Sequence, residues 1–220
     1  MPIATDEVPA KRERRKQARP GELLQAALEL FVEKGFAATR AEEVAARAGV
    51  SKGTLFLYFQ SKEELFKAVV HEAMGGKFEA WNEEFERFEG STDEMLRYCL
   101  NSWWERIGAT PASGLTKLMV GEAANFPELA EDYRRQVIAP GHRLIRRILE
   151  RGVARGEFRI PDLDYAVYSV VAPMIFLMMN QHSQGACTPD GQPLDPQRFL
   201  AMQANALLAG FMVRTHGGAP

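Results

Sequence analysis

An all-α fold is what the sequence predicts, and three observations predict it. Apolar residues recur at three-and-four spacing through most of the chain, no segment sustains period-two alternation with β-branched residues, and helix start and stop signals punctuate the pattern. The expected architecture is an N-terminal three-helix unit containing a helix-turn-helix, followed by a larger C-terminal helical domain. With 220 residues and 46% hydrophobic composition, the chain can bury cores of that size.

The first ten residues have no period. Lys11, Arg12, Arg14, Arg15, Lys16 and Arg19 then arrive with only Glu13 against them, so residues 1–19 read as a basic arm, either a solvated tail or a segment that tracks a polyanion. From Pro20 onward, Leu23, Leu24, Ala27, Leu28, Phe31 and Val32 define an amphipathic helix that Gly35 stops. Thr39 with Glu42 reads as a capping box that opens a short helix through Ala48. Gly49 permits a tight turn, and a third helix runs from Ser51 to about Phe59. Ser61 with Glu64 opens a fourth helix, 61–74, whose apolar face is Leu65, Phe66, Val69 and Val70. Gly75 and Gly76 lower helix propensity and predict a break, which sets the expected units at 20–74 and 75–220.

Beyond that point helices are predicted at 77–88, 93–107, 115–124, 128–155 with a bend at Pro140, 162–182 and 196–214, and a Gly/Pro/Asp-rich loop at 185–196. Pro173 removes a backbone hydrogen bond inside the 162–182 pattern and predicts a kink near Ser169.

Composition narrows the function. A formal net charge of -2 gives no global positive field, so any contact with a nucleic acid must be local. Cys99 and Cys187 are far apart and lack metal-ligand spacing, which predicts neither a disulfide nor a zinc site and fits a reducing cytoplasm. The N-terminus has no apolar core of a secretory signal. The longest apolar stretch, 165–179, is interrupted by Ser169 and Pro173 and is shorter than the roughly 20 residues that span a bilayer, so it reads as a buried helix and no membrane is expected.

Two short helices joined by a tight turn inside a three-helix unit place the second helix where it can enter a major groove. Small Ala45 allows close approach, and Val44, Ala48, Val50 and Leu55 supply the apolar contacts between the helices. Residues 51–62, Ser-Lys-Gly-Thr-Leu-Phe-Leu-Tyr-Phe-Gln-Ser-Lys, contain hydroxyls, two lysines and aromatics but no carboxylate, as a phosphate-facing surface requires. Helical spacing assigns Leu55 and Phe59 to the core and Phe56 to the groove.

The run from Phe36 to Leu65, with Thr39, Val44-Ala45, Ala48-Gly49-Val50-Ser51, Thr54-Leu55, Tyr58-Phe59 and Ser61-Lys62-Glu63-Glu64-Leu65, closely resembles the DNA-binding domain of TetR/AcrR family repressors. The resemblance implies base-edge contacts from Ser51, Lys52, Gly53 and Phe56, and phosphate contacts from Thr39, Thr54, Tyr58 and Lys62, with Arg40 counted among the DNA-binding positions. Phe56 stands where the family commonly has Tyr, so the apolar contact remains, for example with a thymine methyl, and the hydroxyl bond does not.

The C-terminal part carries no such motif. Trp103, Trp104, Met119, Phe126, Met174, Phe176, Met178 and Met179 concentrate large, soft side chains suited either to an adaptable apolar cavity or to an ordinary core, and the ligand-binding candidates are Trp103, Trp104, Met119, Phe126, Met174, Met178 and His182. The resemblance further implies a homodimer through the last two long helices, a near-palindromic double-stranded operator, and an unidentified apolar or aromatic small-molecule effector that releases it. Repressor and activator are both compatible with the residues. His182, Cys187 and Asp190 are near in sequence but lack an oxyanion motif, so no catalytic residue, cofactor or metal is expected.

Overall fold

The computed structural model describes residues 10–183 and 186–213, with side chains from Pro20 onward. The first nine residues of the expected arm, Gly185 at the start of the expected loop and Arg214 at the end of the last expected helix lie outside the described residues. Among those described, no β-strand forms, and the one isolated bridge pairs Phe158 with Met212.

The first helix, α1 (Ala10–Lys34), starts ten residues before the expected Pro20 and carries that proline inside it. The segment ahead of Pro20 is built from Ala, Lys, Arg, Glu and Gln, all good helix formers, and contains no breaker, so the helix extends through the basic run. Three short helices follow: α2 (Ala41–Arg47), α3 (Lys52–Tyr58) and α4 (Lys62–Val70). Contacts divide the chain between Val69 and Val70. The core of the first unit is an aromatic triad, Phe31, Phe36 and Phe66, with ring centroids 5.3–5.6 Å apart. Leu23, Leu30, Val44, Ala45, Leu55 and Leu65 complete it, all buried.

The second unit consists of α5 (Lys77–Glu86), α6 (Thr92–Trp103), α7 (Ser113–Glu122), α8 (Pro127–Tyr133), α9 (Ala139–Ala154), α10 (Leu163–Gln181) and α11 (Pro196–Phe211). α10 packs on α7, α9 and α11, while α6 packs on α9 and α11. Three π turns interrupt the α geometry, at His71–Gly75, Trp104–Gly108 and Arg134–Ile138. The predicted break at Gly75 and Gly76 is absent, because the π turn leads directly into α5. A close approach explains Gly75: a Cβ there would lie 3.2 Å from Gln136 Oε1 and 3.3 Å from its carbonyl oxygen, where the first and third π turns meet.

Among the described residues, α10 is the one helix long and apolar enough to cross a membrane, with 19 residues and a mean hydropathy of 1.4, but 39% of its apolar window is buried inside the chain. The expectation of a buried helix is corrected here: Tyr165, Tyr168 and Phe176 project from α10 into solvent.

Candidate nucleic-acid interface and ligand cavity

The turn between α2 and α3 depends on Gly49, whose φ of +67° lies in the left-handed region that side chains with a Cβ disfavour. Ser51 then caps α3, its Oγ accepting from Thr54 N at 3.1 Å and lying 2.9 Å from Thr54 Oγ1. Leu55 is fully buried against the unit, so helical rotation sends Lys52, Gly53, Phe56 and Leu57 outward. Phe56 is exposed as expected, and Leu57, absent from the candidates, is 84% exposed. Phe59 is only half-buried, because α3 ends at Tyr58 and Phe59 is its extended C-cap. Tyr58 is exposed and Thr54 half-buried.

Charge at this surface is arranged differently from the sequence expectation. Lys52 Nζ lies 2.6 Å from Glu42 Oε1 on α2, a carboxylate outside the 51–62 window that folding brings back to it. The hydrogen bond from Lys52 holds the Glu42 carboxyl below its ordinary pKa. Arg40, not Thr39, is the N-cap of α2; its side chain is exposed, and its backbone N–H donates to Glu43 Oε2 at 3.2 Å.

Two phosphate-contact candidates already have partners inside the unit. Thr39 is 1% exposed, and its hydroxyl donates back to Gly35 O at 2.8 Å, with Leu30 O at 3.2 Å, so it closes the end of α1. Lys62 Nζ donates to the carbonyls of Phe36 at 2.9 Å, Thr39 at 3.0 Å and Ala37 at 3.3 Å, and sits 4.4 Å from the Phe36 ring centroid. An ammonium has three N–H donors, and all three face carbonyls of the α1–α2 loop.

The second unit encloses a cavity of about 350 Å³ walled by α5, α6, α7, α8, α9, α10 and the three π turns. Trp103, Met119, Met174 and Met178 line it, as the sequence suggested. Trp104, Phe126 and His182 do not. Trp104 is turned back over Gly108, whose added Cβ would lie 2.3 Å from the indole, and Phe126 is the residue that caps α8. His182 Nε2 lies 2.7 Å from Ser113 Oγ, and burial and nearby Lys117 lower its pKa. Phe176 is exposed, and Met179 also lies outside the wall.

Sequence reasoning missed Met74, Phe78, Trp81, Cys99, Tyr133 and His142. Most sit on apolar helical stripes that look identical whether they meet another helix or a void. The polar groups of the wall are few. Thr116 Oγ1 and Tyr133 OH lie 2.8 Å apart and buried, and burial pushes the Tyr133 phenol up to about 12. Burial likewise raises the Cys99 thiol to about 12 and lowers the His142 imidazole, whose ring packs edge-on to Tyr168 at 4.9 Å.

Of the residues weighed for catalysis, His182 and Asp190 have other partners. Ser113, beside His182, is fully buried and donates to Thr110 O at 2.8 Å, while Asp190 accepts from Gln192 N within its own loop. Among the described residues no group of three His, Cys, Asp or Glu side chains is placed to hold a metal ion.

Comparison with known proteins joins the two sites. Residues 23–69 match the family described as bacterial regulatory proteins, tetR family, and residues 89–186 match the tetracyclin repressor-like C-terminal domain. The HTH-type transcriptional repressor KstR2 of Mycolicibacterium smegmatis is 25% identical over 202 residues, 91% of this chain and 93% of that protein. The HTH-type transcriptional regulator RutR of Escherichia coli K12 is 41% identical over 78 residues, which are 34% of this chain and 37% of RutR. The fold is shared with the fatty acid degradation regulator FadR from Bacillus halodurans, with a TM-score of 0.71 at 20% identity over 93% of this chain and 97% of that one. These relatives are regulators rather than enzymes. The chain belongs to the TetR family of bacterial regulatory proteins and is a DNA-binding, ligand-responsive transcriptional regulator.

Proposed function

We propose that this regulator is a cytoplasmic repressor that binds a near-palindromic operator as a homodimer and releases it when an apolar or aromatic effector enters the cavity of the second unit. The observation that carries the reading is the outward face of α3, where Lys52, Gly53, Phe56 and Leu57 stand exposed behind a capped helix start. Lys52 and Ser51 supply polar contacts, and Phe56 and Leu57 apolar contacts to thymine methyls. Arg40, Thr54 and Tyr58 are phosphate-contact candidates, and the basic run 11–19 adds charge along α1.

The expected division of labour gives 20–74 to DNA reading and 75–220 to sensing and dimerising, with Met74 at the junction contributing to the cavity. The exposed apolar side chains Tyr165, Tyr168 and Phe176 of α10 and Met202 of α11 supply a self-complementary face for two copies. The repressor assignment draws on KstR2, which is named a repressor. Coupling runs through Met74. It lines the cavity and belongs to the π turn that directly follows α4 in the chain, so an occupant that moves Met74 strains the end of α4. Effector and operator then weaken each other by the same factor, commonly about 1–3 kcal/mol.

Selection of bound duplexes from a random-sequence pool tests the reading. Enrichment of one inverted repeat is expected, lost in Lys52→Ala. A pool in which nothing enriches, with the variant behaving as the parent does, overturns it.

A further inference from the structure

Within the reading of the cavity as the effector site, we propose that the effector is uncharged and carries a hydrogen-bond acceptor of the ketone or ester type on its apolar frame, received by the indole N–H of Trp81. Trp81 is 2% exposed, forms part of the cavity wall, and its Nε1 has no hydrogen-bond partner. A buried donor left unpaired is destabilising, and an occupant that supplies an acceptor relieves much of that cost.

The hydroxyl pair in the wall has the same bias. Thr116 and Tyr133 together carry two hydroxyl protons, and one bridges their oxygens at 2.8 Å. The other faces a thioether: Met178 Sδ at 3.8 Å if Thr116 donates outward, Met74 Sδ at 3.9 Å if Tyr133 does. Sulfur is a weak acceptor, so a carbonyl oxygen in the cavity competes for that proton too. When it takes the proton from Met74, the ligand's polar group acts on the π turn after α4 as well as on the wall. No lining residue is Lys, Arg, Asp or Glu, so an ionised carboxylate would enter without a counter-charge at a large desolvation cost.

The test uses three probes on one tricyclic frame with the full chain at pH 7.5: fluorene, 9-fluorenone and fluorene-9-carboxylate, measured by equilibrium dialysis. The ketone is expected to bind about fivefold more tightly than the hydrocarbon, the ratio worth one neutral hydrogen bond, and the carboxylate more weakly than either. In Trp81→Phe the ketone-to-hydrocarbon ratio falls to about one, with fluorene binding by the same variant reporting that the cavity is intact. In the unmutated protein the Trp81 indole proton resonance moves downfield with 9-fluorenone and not with fluorene. Equal affinities for ketone and hydrocarbon overturn the inference and leave the cavity reading standing. Tightest binding by the carboxylate overturns the requirement for neutrality. Failure of all three probes to bind removes the cavity reading along with the inference.

Discussion

Lys52 meets solvent already paired with Glu42, so a phosphate or base edge that binds Lys52 must displace a carboxylate. Glu42→Gln is therefore expected to bind operator about threefold more tightly at low ionic strength, with the gain shrinking as salt screens the surface pair. Fluorescence anisotropy across a salt series checks this, and equal affinity for both proteins would remove Lys52 from the interface. At this scale the sequence revealed which residues carry hydroxyls and ammonium groups but not which way they face. Thr39 and Lys62 have the right chemistry for phosphate, yet both serve backbone carbonyls of the α1–α2 region. Lys62 reaches carbonyls 23 to 26 residues upstream, a pairing with no local trace in the chain.

The helix-turn-helix stands or falls on its turn. Gly49→Ala forces a Cβ into φ +67° with no steric neighbour to blame, so a loss of about 1–2 kcal/mol from left-handed strain alone is expected in denaturant unfolding of the DNA-reading unit. A loss near zero would mean that the turn relaxes. Such elements were largely legible, since three-and-four periodicity located most helices and Gly35 and Gly49 located turns, although the start of α1 and the Gly75–Gly76 region were read differently. The π turns were not legible, because one extra residue per turn leaves the composition unchanged. The cavity shares that opacity. Trp103, Met119, Met174 and Met178 stood out as large, soft residues, whereas Phe78, Trp81 and Cys99 are indistinguishable from core until the void beside them is seen.

Across the whole molecule, two half-buried imidazoles tie stability to pH. Burial holds His142 and His182 below the ordinary 6.5 in the folded state. As pH falls below 6.5 the unfolded chain therefore binds protons first, and the folded state loses stability until the folded imidazoles protonate as well. Thermal unfolding of the sensing unit is expected at a lower midpoint at pH 5.5 than at pH 7.5, with a shallower dependence in His142→Gln; a midpoint that rises on acidification would contradict it. The proposed homodimer makes a second demand on the whole chain. Met202, 62% exposed on α11, lies on the apolar face assigned to the partner copy, so Met202→Glu is expected to sediment as a monomer where the parent sediments as a dimer. A dimeric variant would move the interface elsewhere.

The three π turns around the cavity have a consequence for how this sensor can be retuned by mutation. Each holds one residue more than an α-helical turn needs, so loss of a single codon there restores α geometry without breaking the helix. Side chains on the two sides of the deletion then keep nearly the same relative facing, because the π turn had already absorbed the extra residue. A deletion in Arg134–Ile138 would therefore remodel the wall only locally, at Val137 and Ile138, and one in His71–Gly75 only at Met74. In-frame loss of one residue, usually ruinous inside a helix, becomes here a discrete step in the shape of the binding chamber.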